Sequence, residues 1–178
     1  ASGEPYAKMT TLGAEVNGEE ILETRSLFRF LETVETAVQK NVKTITLEVT
    51  SKALSQGFAQ RWPAHVAVFT NLSRDHLDMH QSPEAYLASK AQLFMNVHKP
   101  GVAVLNADDA NSELLQLVLP KDTTVYWYSL TGQQADLSVQ TIHISLNGTH
   151  LQFHPSPIAD FLGGELMLRV VGDVHGAN

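Results

Sequence analysis

The segment Thr70–His80 carries side chains that bind metals and phosphates, among them Asp75, His76 and Asp78. It follows a short apolar run, His65–Thr70, whose β-branched and aromatic content is typical of a buried strand. In open α/β sheets, ligands bind at the carboxyl ends of strands, where loops meet in a crevice. The sequence therefore predicts a metal and phosphate site here. The competing interpretation is that the acids satisfy backbone groups of a loop.

A helix is predicted to follow, with Ser82 as its N-cap and an end near Val97. Lys90 falls on the apolar stripe of this helix, between Tyr86 and Leu93. One hypothesis is that its stem extends to water or that its ammonium pairs with an acid. The other is that it contacts phosphate, or that its neutral amine takes up carbon dioxide and becomes a carbamate suited to Mg²⁺. Periodicity does not separate the two hypotheses.

The run Thr44–Val49 is predicted to be a parallel strand that enters the core, with Glu48 near its carboxyl end. A carboxylate buried at this position needs a partner. The partner is either a nearby Lys or Arg, or a hard cation, because Mg²⁺ favours one or two carboxylates together with phosphate oxygens.

These residues resemble the Mur ligases in order and approximate spacing. The resemblance covers nearly the whole chain, and its most specific part runs from Asp75-His76 to Lys90. Within the family it is closest to the ligase that adds the third residue of the peptidoglycan stem peptide to a UDP-N-acetylmuramoyl-dipeptide. The matching positions are Thr11-Leu12-Gly13, Leu47-Glu48-Val49-Thr50-Ser51, Thr70–Asp78, Lys90, Leu105-Asn106-Ala107-Asp108-Asp109, Gly172 and Asn178.

The resemblance implies an ATP-dependent, amide-forming ligase of peptidoglycan precursor synthesis. A substrate carboxylate attacks the γ-phosphate, and the amine of an amino acid captures the acyl phosphate. Charge on a transferring phosphoryl group is stabilised by positioned cations. By resemblance, Glu48 and His76 are Mg²⁺ ligands, and Lys90 is a carbamylated lysine that supports a second metal.

The resemblance also implies the positions that hold the substrates. Thr50 and Gln56 resemble residues that hold the UDP-sugar, and Asn178 resembles a contact to the adenine of ATP. The implied partners are a UDP-N-acetylmuramoyl-peptide and an amino acid.

The sequence departs from the family pattern in one large respect: it has no Gly-x-x-Gly-Lys-Thr/Ser stretch to cradle ATP phosphates. We expect the phosphate loop to lie shortly before residue 1 and the domain that brings the amino acid to lie after Asn178. The chain is therefore expected to be a central-domain fragment that is inactive alone.

Smaller departures leave the substrate open. Lys52 stands where the family often has His, Phe58 stands where an Arg commonly helps bind the UDP-sugar, and Val174-His175 replaces a usual Phe-Asn pair. Phe does not replace the bidentate clamp of a guanidinium. The alternatives are a divergent ligase acting on another acid, including relatives that extend folate or cyanophycin, and a non-catalytic domain that binds a nucleotide-sugar or a metal.

Composition excludes several other classes of protein. The chain has 178 residues, a net charge of −7 and no basic stripe, which argues against a general nucleic-acid binder. It has no Cys, so it has neither a disulfide framework nor a thiolate zinc site. No apolar run approaches a membrane span, and a cytoplasmic location is expected.

The predicted fold class is α/β: a mostly parallel sheet flanked by helices, with an antiparallel β lobe and without the phosphate-loop segment. Residues 1–122 form the α/β part and residues 123–171 form the β-rich lobe, whose strands are expected to follow one another without helices. A type I′ hairpin turn is expected at Asn17-Gly18. A second Asn-Gly turn is expected at Asn147-Gly148. Ser26 is expected to cap a helix whose packing face consists of Leu27, Leu31, Val34 and Val38.

Overall fold

The computed structural model describes residues 4–72 and 82–170. The chain divides into two compact units, the first ending at Thr50 and the second beginning at Ser51. The predicted α/β fold class is confirmed in both units, since each contains parallel strand pairs and helices. The predicted division into residues 1–122 and 123–171 stays a prediction.

The described residues of the first unit form a four-stranded sheet and one helix. The elements are β1 (Tyr6–Met9), β2 (Ala14–Val16), β3 (Glu19–Glu20), α1 (Ser26–Gln39) and β4 (Thr44–Leu47). The strands lie in the order β3-β2-β1-β4, and β1 pairs in parallel with β4 and antiparallel with β2. Asn17 and Gly18 have φ values of 52° and 84°, and a type I′ turn needs positive φ at both positions.

Two predictions about α1 were wrong. Arg25, rather than Ser26, occupies the N-cap position, and no side chain caps this end of the helix. The buried face consists of Phe30, Thr33 and Ala37, one position away from the predicted apolar stripe. Thr33 is buried without an unpaired polar group, because its hydroxyl donates to the Arg29 carbonyl at 2.6 Å.

The predicted stripe lies largely on the outside of the helix: Leu27, Leu31 and Val38 are exposed. The small side chain of Ala37 packs instead into the core of the first unit, whose other buried members come from the sheet and the β3 end.

Strand β4 is a parallel strand, as predicted, and it pairs with β1. Its half-buried Ile45 packs against the core of the first unit. β4 is an edge strand of the described sheet, and its residues alternate between exposed and half-buried. Glu48, directly after this strand, is exposed. The prediction that this carboxylate is buried was therefore wrong. The polar threonines at Thr44 and Thr46 take the outward positions.

The described residues of the second unit form a six-stranded sheet. Its strands are β5 (Val66–Val68), β6 (Gly101–Asn106), β7 (Thr123–Ser129), β8 (Leu137–Ser145), β9 (Gly148–Phe153) and β10 (Glu165–Leu168). They lie in the order β10-β9-β8-β7-β6-β5. Strands β5 to β8 pair in parallel, whereas β8, β9 and β10 pair antiparallel. The parallel part and the antiparallel part therefore share one continuous sheet.

Five helices accompany this sheet in the described part of the chain: α2 (Ser51–Ser55), α3 (Phe58–Arg61), α4 (Pro83–Met95), α5 (Asn111–Leu117) and α6 (Pro157–Phe161). The start predicted for α4 is confirmed, because the Ser82 hydroxyl accepts a hydrogen bond from the Ala85 N–H at 3.2 Å and Pro83 follows it. The expectation of no helix within the β-rich lobe was wrong, since α6 lies between β9 and β10 and begins with a second Ser-Pro pair.

Two apolar clusters stabilise the second unit. One joins β5 and β6 to α4 and α5 through Phe69, Phe94, Leu105 and Leu115, and the other lies under the antiparallel strands. None of the helices that the structure describes is both long enough and apolar enough to cross a membrane.

Candidate functional site

Glu48 lies at the carboxyl ends of the two parallel strands β1 and β4. Its N–H donates to the Met9 carbonyl at 2.8 Å, which continues the ladder between the strands. Its carboxylate Oε2 accepts hydrogen bonds from the Thr11 N–H at 2.9 Å and from the Thr11 hydroxyl at 3.1 Å. Among the described residues, the carboxylate is thus held by a threonine rather than by the lysine or arginine considered from sequence. Both donors come from one residue, so they hold the carboxylate in one orientation.

Lys90 lies on α4 and is half-buried. Its Nζ lies 5.6 Å from the centre of the Tyr86 ring, within range of a cation–π interaction. Tyr86 itself is buried, as the periodicity predicted. The long stem of Lys90 therefore follows the apolar face of the helix while its charge rests on an aromatic ring. Neither a phosphate contact nor carbamylation is tested by this arrangement, and both stay predictions.

Thr50 and Gln56 flank α2 and are both exposed. Helix α2 packs against α4, the helix that carries Lys90. The Gln56 carbonyl accepts a hydrogen bond from the Arg61 guanidinium at 3.3 Å, so α3 adds a cation beside Gln56. The proposed substrate role of Thr50 and Gln56 stays a prediction.

Several predicted site residues lie outside the described part of the chain. Asp75, His76 and Asp78 fall within residues 73–81, and Asn178 falls within residues 171–178. Within residues 4–72 and 82–170, no three His, Asp or Glu side chains converge to hold a metal. The roles predicted for His76 and Asn178 stay predictions.

Sequence reasoning recognised Leu105–Asp109 as a family match but assigned it no role. In the structure, Asn106 ends β6, and its side-chain amide donates to the Thr70 carbonyl at 2.6 Å. Asp109 accepts a hydrogen bond from the Leu72 N–H at 2.8 Å. These two side chains thus hold the described end of the segment Thr70–His80. The sequence feature that could have indicated this role is an amide and two acids at the carboxyl end of a buried strand.

Asp108, in the same turn, faces the opposite way. Its carboxylate accepts hydrogen bonds from the hydroxyls of Ser129 at 2.7 Å and Thr131 at 2.6 Å, and from the Leu130 N–H at 2.6 Å. Burial alone would raise the pKa of Asp108, but these hydrogen bonds outweigh burial and lower the pKa below its ordinary value. Asp108 therefore joins the end of β6 to the end of β7.

The Tyr128 hydroxyl donates to the backbone carbonyls at the end of β5, at 3.4 Å to Phe69 and 3.3 Å to Thr70. Burial, followed by the negative charges of Asp108 and Asp109, raises the pKa of Tyr128 to about 12. The hydroxyl therefore remains a donor at neutral pH, and it lies 3.3 Å from the Thr70 carbonyl oxygen.

An open cleft of about 610 Å³ lies beside this turn, at the carboxyl ends of β6 and β7. It is bordered by α5, by Trp127 and by Gln133 and Gln134. Of the site residues predicted from sequence, those that the structure describes (Glu48, Thr50, Gln56 and Lys90) do not line this cleft.

A parallel sheet with polar side chains at the carboxyl ends of its strands defines an α/β ligand-binding domain. Residues 2–178 match the family model of the Mur ligase middle domain, and the chain belongs to the Mur ligase family. The predicted resemblance is confirmed.

One named relative is a 2,6-diaminopimelate ligase. The chain is 32% identical over 182 residues to the UDP-N-acetylmuramoyl-L-alanyl-D-glutamate–2,6-diaminopimelate ligase of Listeria innocua serovar 6a, an alignment covering 97% of this chain and 35% of that protein. The chain thus spans about a third of the length of this relative.

Solved structures of Mur ligases and of a related synthase resemble this chain in fold. A structure of a UDP-N-acetylmuramoyl-L-alanyl-D-glutamate–2,6-diaminopimelate ligase superposes with a TM-score of 0.76 at 27% identity, covering 98% of this chain and 35% of that chain. Mycobacterium tuberculosis folylpolyglutamate synthase complexed with ADP shares the fold, with a TM-score of 0.60 at 18% identity, covering 98% of this chain and 45% of that chain.

Proposed function

We propose that this chain is the middle domain of an ATP-dependent ligase that joins an amino acid to a UDP-N-acetylmuramoyl-peptide during peptidoglycan precursor synthesis. The observation that carries the proposal is the 32% identity to a named 2,6-diaminopimelate ligase across 97% of the chain. The proposed reaction passes through an acyl phosphate and uses ATP and Mg²⁺ in the cytoplasm. The ADP complex of the structurally similar folylpolyglutamate synthase supports a nucleotide-binding role.

Glu48 is the proposed Mg²⁺ ligand for which the structure offers a fit. Carboxylate oxygens are preferred ligands of this hard cation. Oε2 is occupied by Thr11, whereas Oε1 receives one long contact, at 3.4 Å from the Thr11 hydroxyl, among the described residues. Oε1 is therefore the oxygen that would face a metal. When bound, Mg²⁺ would neutralise charge on the phosphate oxygens of the nucleotide.

The remaining residues have roles proposed from the family. His76 is proposed as a second Mg²⁺ ligand, and Lys90, as a carbamate, would support a second metal. Release of Lys90 from the Tyr86 ring would accompany its loss of positive charge, because a cation–π interaction needs the ammonium. Thr50 and Gln56 are proposed to hold the UDP-sugar, and Asn178 is proposed to contact adenine.

The test uses the full-length protein, ATP, Mg²⁺, UDP-N-acetylmuramoyl-L-alanyl-D-glutamate and 2,6-diaminopimelate, with ADP release and product mass as readouts. We expect Glu48→Gln to lower kcat about 100-fold or more, because loss of one electrostatic contact to a developing charge has effects of that size. Glu15→Gln, which changes another carboxylate of the same sheet that bonds a hydroxyl, is the matched control and should leave kcat unchanged.

A Glu48→Gln protein with wild-type kcat would contradict the role of Glu48. Wild-type protein that binds the UDP-sugar without turnover would favour the non-catalytic binding domain. Turnover with a different amino acid would keep the reaction class and replace the substrate.

A further inference from the structure

Helices α2 and α3 meet at a sharp corner, and the side chain of Arg61 folds back across it. Helix α2 is followed by Gly57, whose N–H donates to the Leu54 carbonyl at 3.0 Å and whose φ is 82°, a conformation that glycine adopts without strain. From the end of α3, Nη1 of Arg61 donates to the Gln56 carbonyl at 3.3 Å. A Cβ on Gly57 would lie 3.4 Å from this Nη1, so the guanidinium lies close over the corner. The corner therefore holds a cation against Gln56, which is itself exposed.

The guanidinium of Arg61 has donors to spare. An arginine carries five N–H donors, and this side chain makes one hydrogen bond within the part of the chain that the structure describes. It forms no ion pair with any of the described Asp and Glu residues. Arg25, in contrast, is paired with Glu23, and Arg29 donates to two backbone carbonyls. The exposed Arg61 can therefore donate two parallel hydrogen bonds to an anion.

The segment around this corner is locally positive in an acidic chain. Residues 51–72 contain Lys52 and Arg61 but no Asp or Glu, whereas the whole chain has 19 acids and a net charge of −7. Lys52 lies one helical turn before Gln56, and the Gln56 N–H donates to the Lys52 carbonyl at 3.2 Å, which places both exposed residues on the same side of α2. A surface with cations and no neighbouring acids in sequence attracts anions.

We propose that Arg61 binds an anionic group of the acid substrate, a carboxylate or a phosphate, beside Gln56, and thereby selects a negatively charged nucleotide-sugar peptide. This inference rests on the proposed function. Helices α2 and α3 both contact α4, the helix that carries Lys90, so the corner adjoins another proposed site residue. Helix α3 runs from Phe58 to Arg61, so its cation stands one turn after the position where the family resemblance leads us to expect an arginine.

The experiment compares Arg61→Ala, Arg61→Lys and Arg169→Ala in the full-length protein. Three quantities are measured: the KM for UDP-N-acetylmuramoyl-L-alanyl-D-glutamate, the KM for ATP, and Tm. We expect Arg61→Ala to raise the KM for the nucleotide-sugar peptide about 10-fold or more with an unchanged KM for ATP, because losing a hydrogen bond to a charged group has effects of that size. Arg61→Lys keeps the charge but loses the planar fork, so its KM should be intermediate.

Arg169→Ala is the matched control. Arg169 follows β10 and is exposed, so its loss changes the net charge of the chain by the same amount as the loss of Arg61. Both KM values of this variant should equal those of the wild type. A purely structural role of the hydrogen bond between Arg61 and Gln56 would lower the Tm of Arg61→Ala and leave its KM for the nucleotide-sugar peptide at the wild-type value.

Calorimetry with UDP-N-acetylglucosamine, which has two phosphates and no carboxylate, separates the two kinds of anion. Weaker binding of this probe by Arg61→Ala would assign the contact to a phosphate, whereas weaker binding of the nucleotide-sugar peptide alone would assign it to a carboxylate. The proposal is overturned if Arg61→Ala and Arg169→Ala have the same KM for the nucleotide-sugar peptide while the wild type is active. A wild type that does not turn over this substrate contradicts the proposed function itself.

Discussion

At the residue scale, two carboxylates of this chain are used in different ways. The Asp108 carboxylate accepts hydrogen bonds from Ser129, Leu130 and Thr131, so its oxygens are paired within the fold. Glu48 is exposed and is oriented by one residue, Thr11, which leaves Oε1 with a long contact among the described residues. A fully satisfied carboxylate stabilises the fold, whereas an oriented carboxylate with spare lone pairs suits a metal.

We predict that Thr11→Val raises the Mg²⁺ concentration for half-maximal activity about 10-fold, because the variant loses the hydroxyl that orients Glu48. Thr11→Ser keeps the hydroxyl and should behave as the wild type. The measurement is a Mg²⁺ titration of ADP release in the full-length protein.

Thr10→Val is the control for this prediction. The Thr10 hydroxyl accepts hydrogen bonds from the N–H groups of Leu12 and Gly13, whereas the Glu48 carboxylate is bonded by Thr11. Its loss should lower Tm with an unchanged Mg²⁺ requirement. Equal Mg²⁺ requirements for Thr11→Val and Thr11→Ser would refute the orienting role of the hydroxyl.

At the element scale, the two Asn-Gly pairs differ although their sequences match. Asn17-Gly18 has positive φ at both residues, as a type I′ turn requires. At the second pair, Gly148 has φ 135° and already belongs to β9, and Asn147 is not among the described residues with positive φ. The second hairpin turn therefore falls one residue earlier, at Leu146 and Asn147, because Ser145 pairs with Gly148.

This difference predicts unequal effects of alanine. A Cβ on Gly148 would lie 2.1 Å from the Leu168 carbonyl oxygen, whereas a Cβ on Gly18 would have nothing within 4 Å. We expect Gly18→Ala to cost about 1 kcal/mol from its positive φ alone. Gly148→Ala should cost about 3 kcal/mol or more, because the clash also displaces β10 from β9.

Urea unfolding of both variants, followed by fluorescence, measures the difference. Equal losses of unfolding free energy would show that the approach of β10 to Gly148 is looser than described. A larger loss for Gly18→Ala would contradict the geometry of both turns.

At the scale of the whole molecule, the chain covers 35% of the length of its Listeria relative, and its sequence contains no Gly-x-x-Gly-Lys-Thr/Ser stretch. We therefore predict that the 178-residue chain by itself hydrolyses no ATP, because backbone N–H groups of such a loop and its lysine hold the phosphates. The full-length protein should release ADP when both substrates are present. Phosphate release is measured for the isolated chain and for the full-length protein. The prediction would be contradicted if the isolated chain hydrolysed ATP and the Glu48→Gln substitution abolished that hydrolysis.

Local patterns were sufficient for much of the fold. The start of α4 was predictable because Ser82, Pro83 and Ala85 are neighbours in sequence and the cap depends on them alone. Most strands were predictable from β-branched and aromatic runs. Helix α6 was missed although it carries the same Ser-Pro signal, because five residues are too few to show a helical period.

The sequence by itself determined the family, the order of most strands and helices, and Glu48, His76 and Lys90 as the candidate chemical groups, because motifs and periodicity are local or shared with relatives. Only the tertiary structure decided which face of α1 is buried, that Glu48 is exposed and held by Thr11, and that Asn106 and Asp109 hold Thr70 and Leu72. Those contacts join residues 36 or 37 positions apart, and such pairs are selected by strand pairing and close packing, which no local pattern encodes.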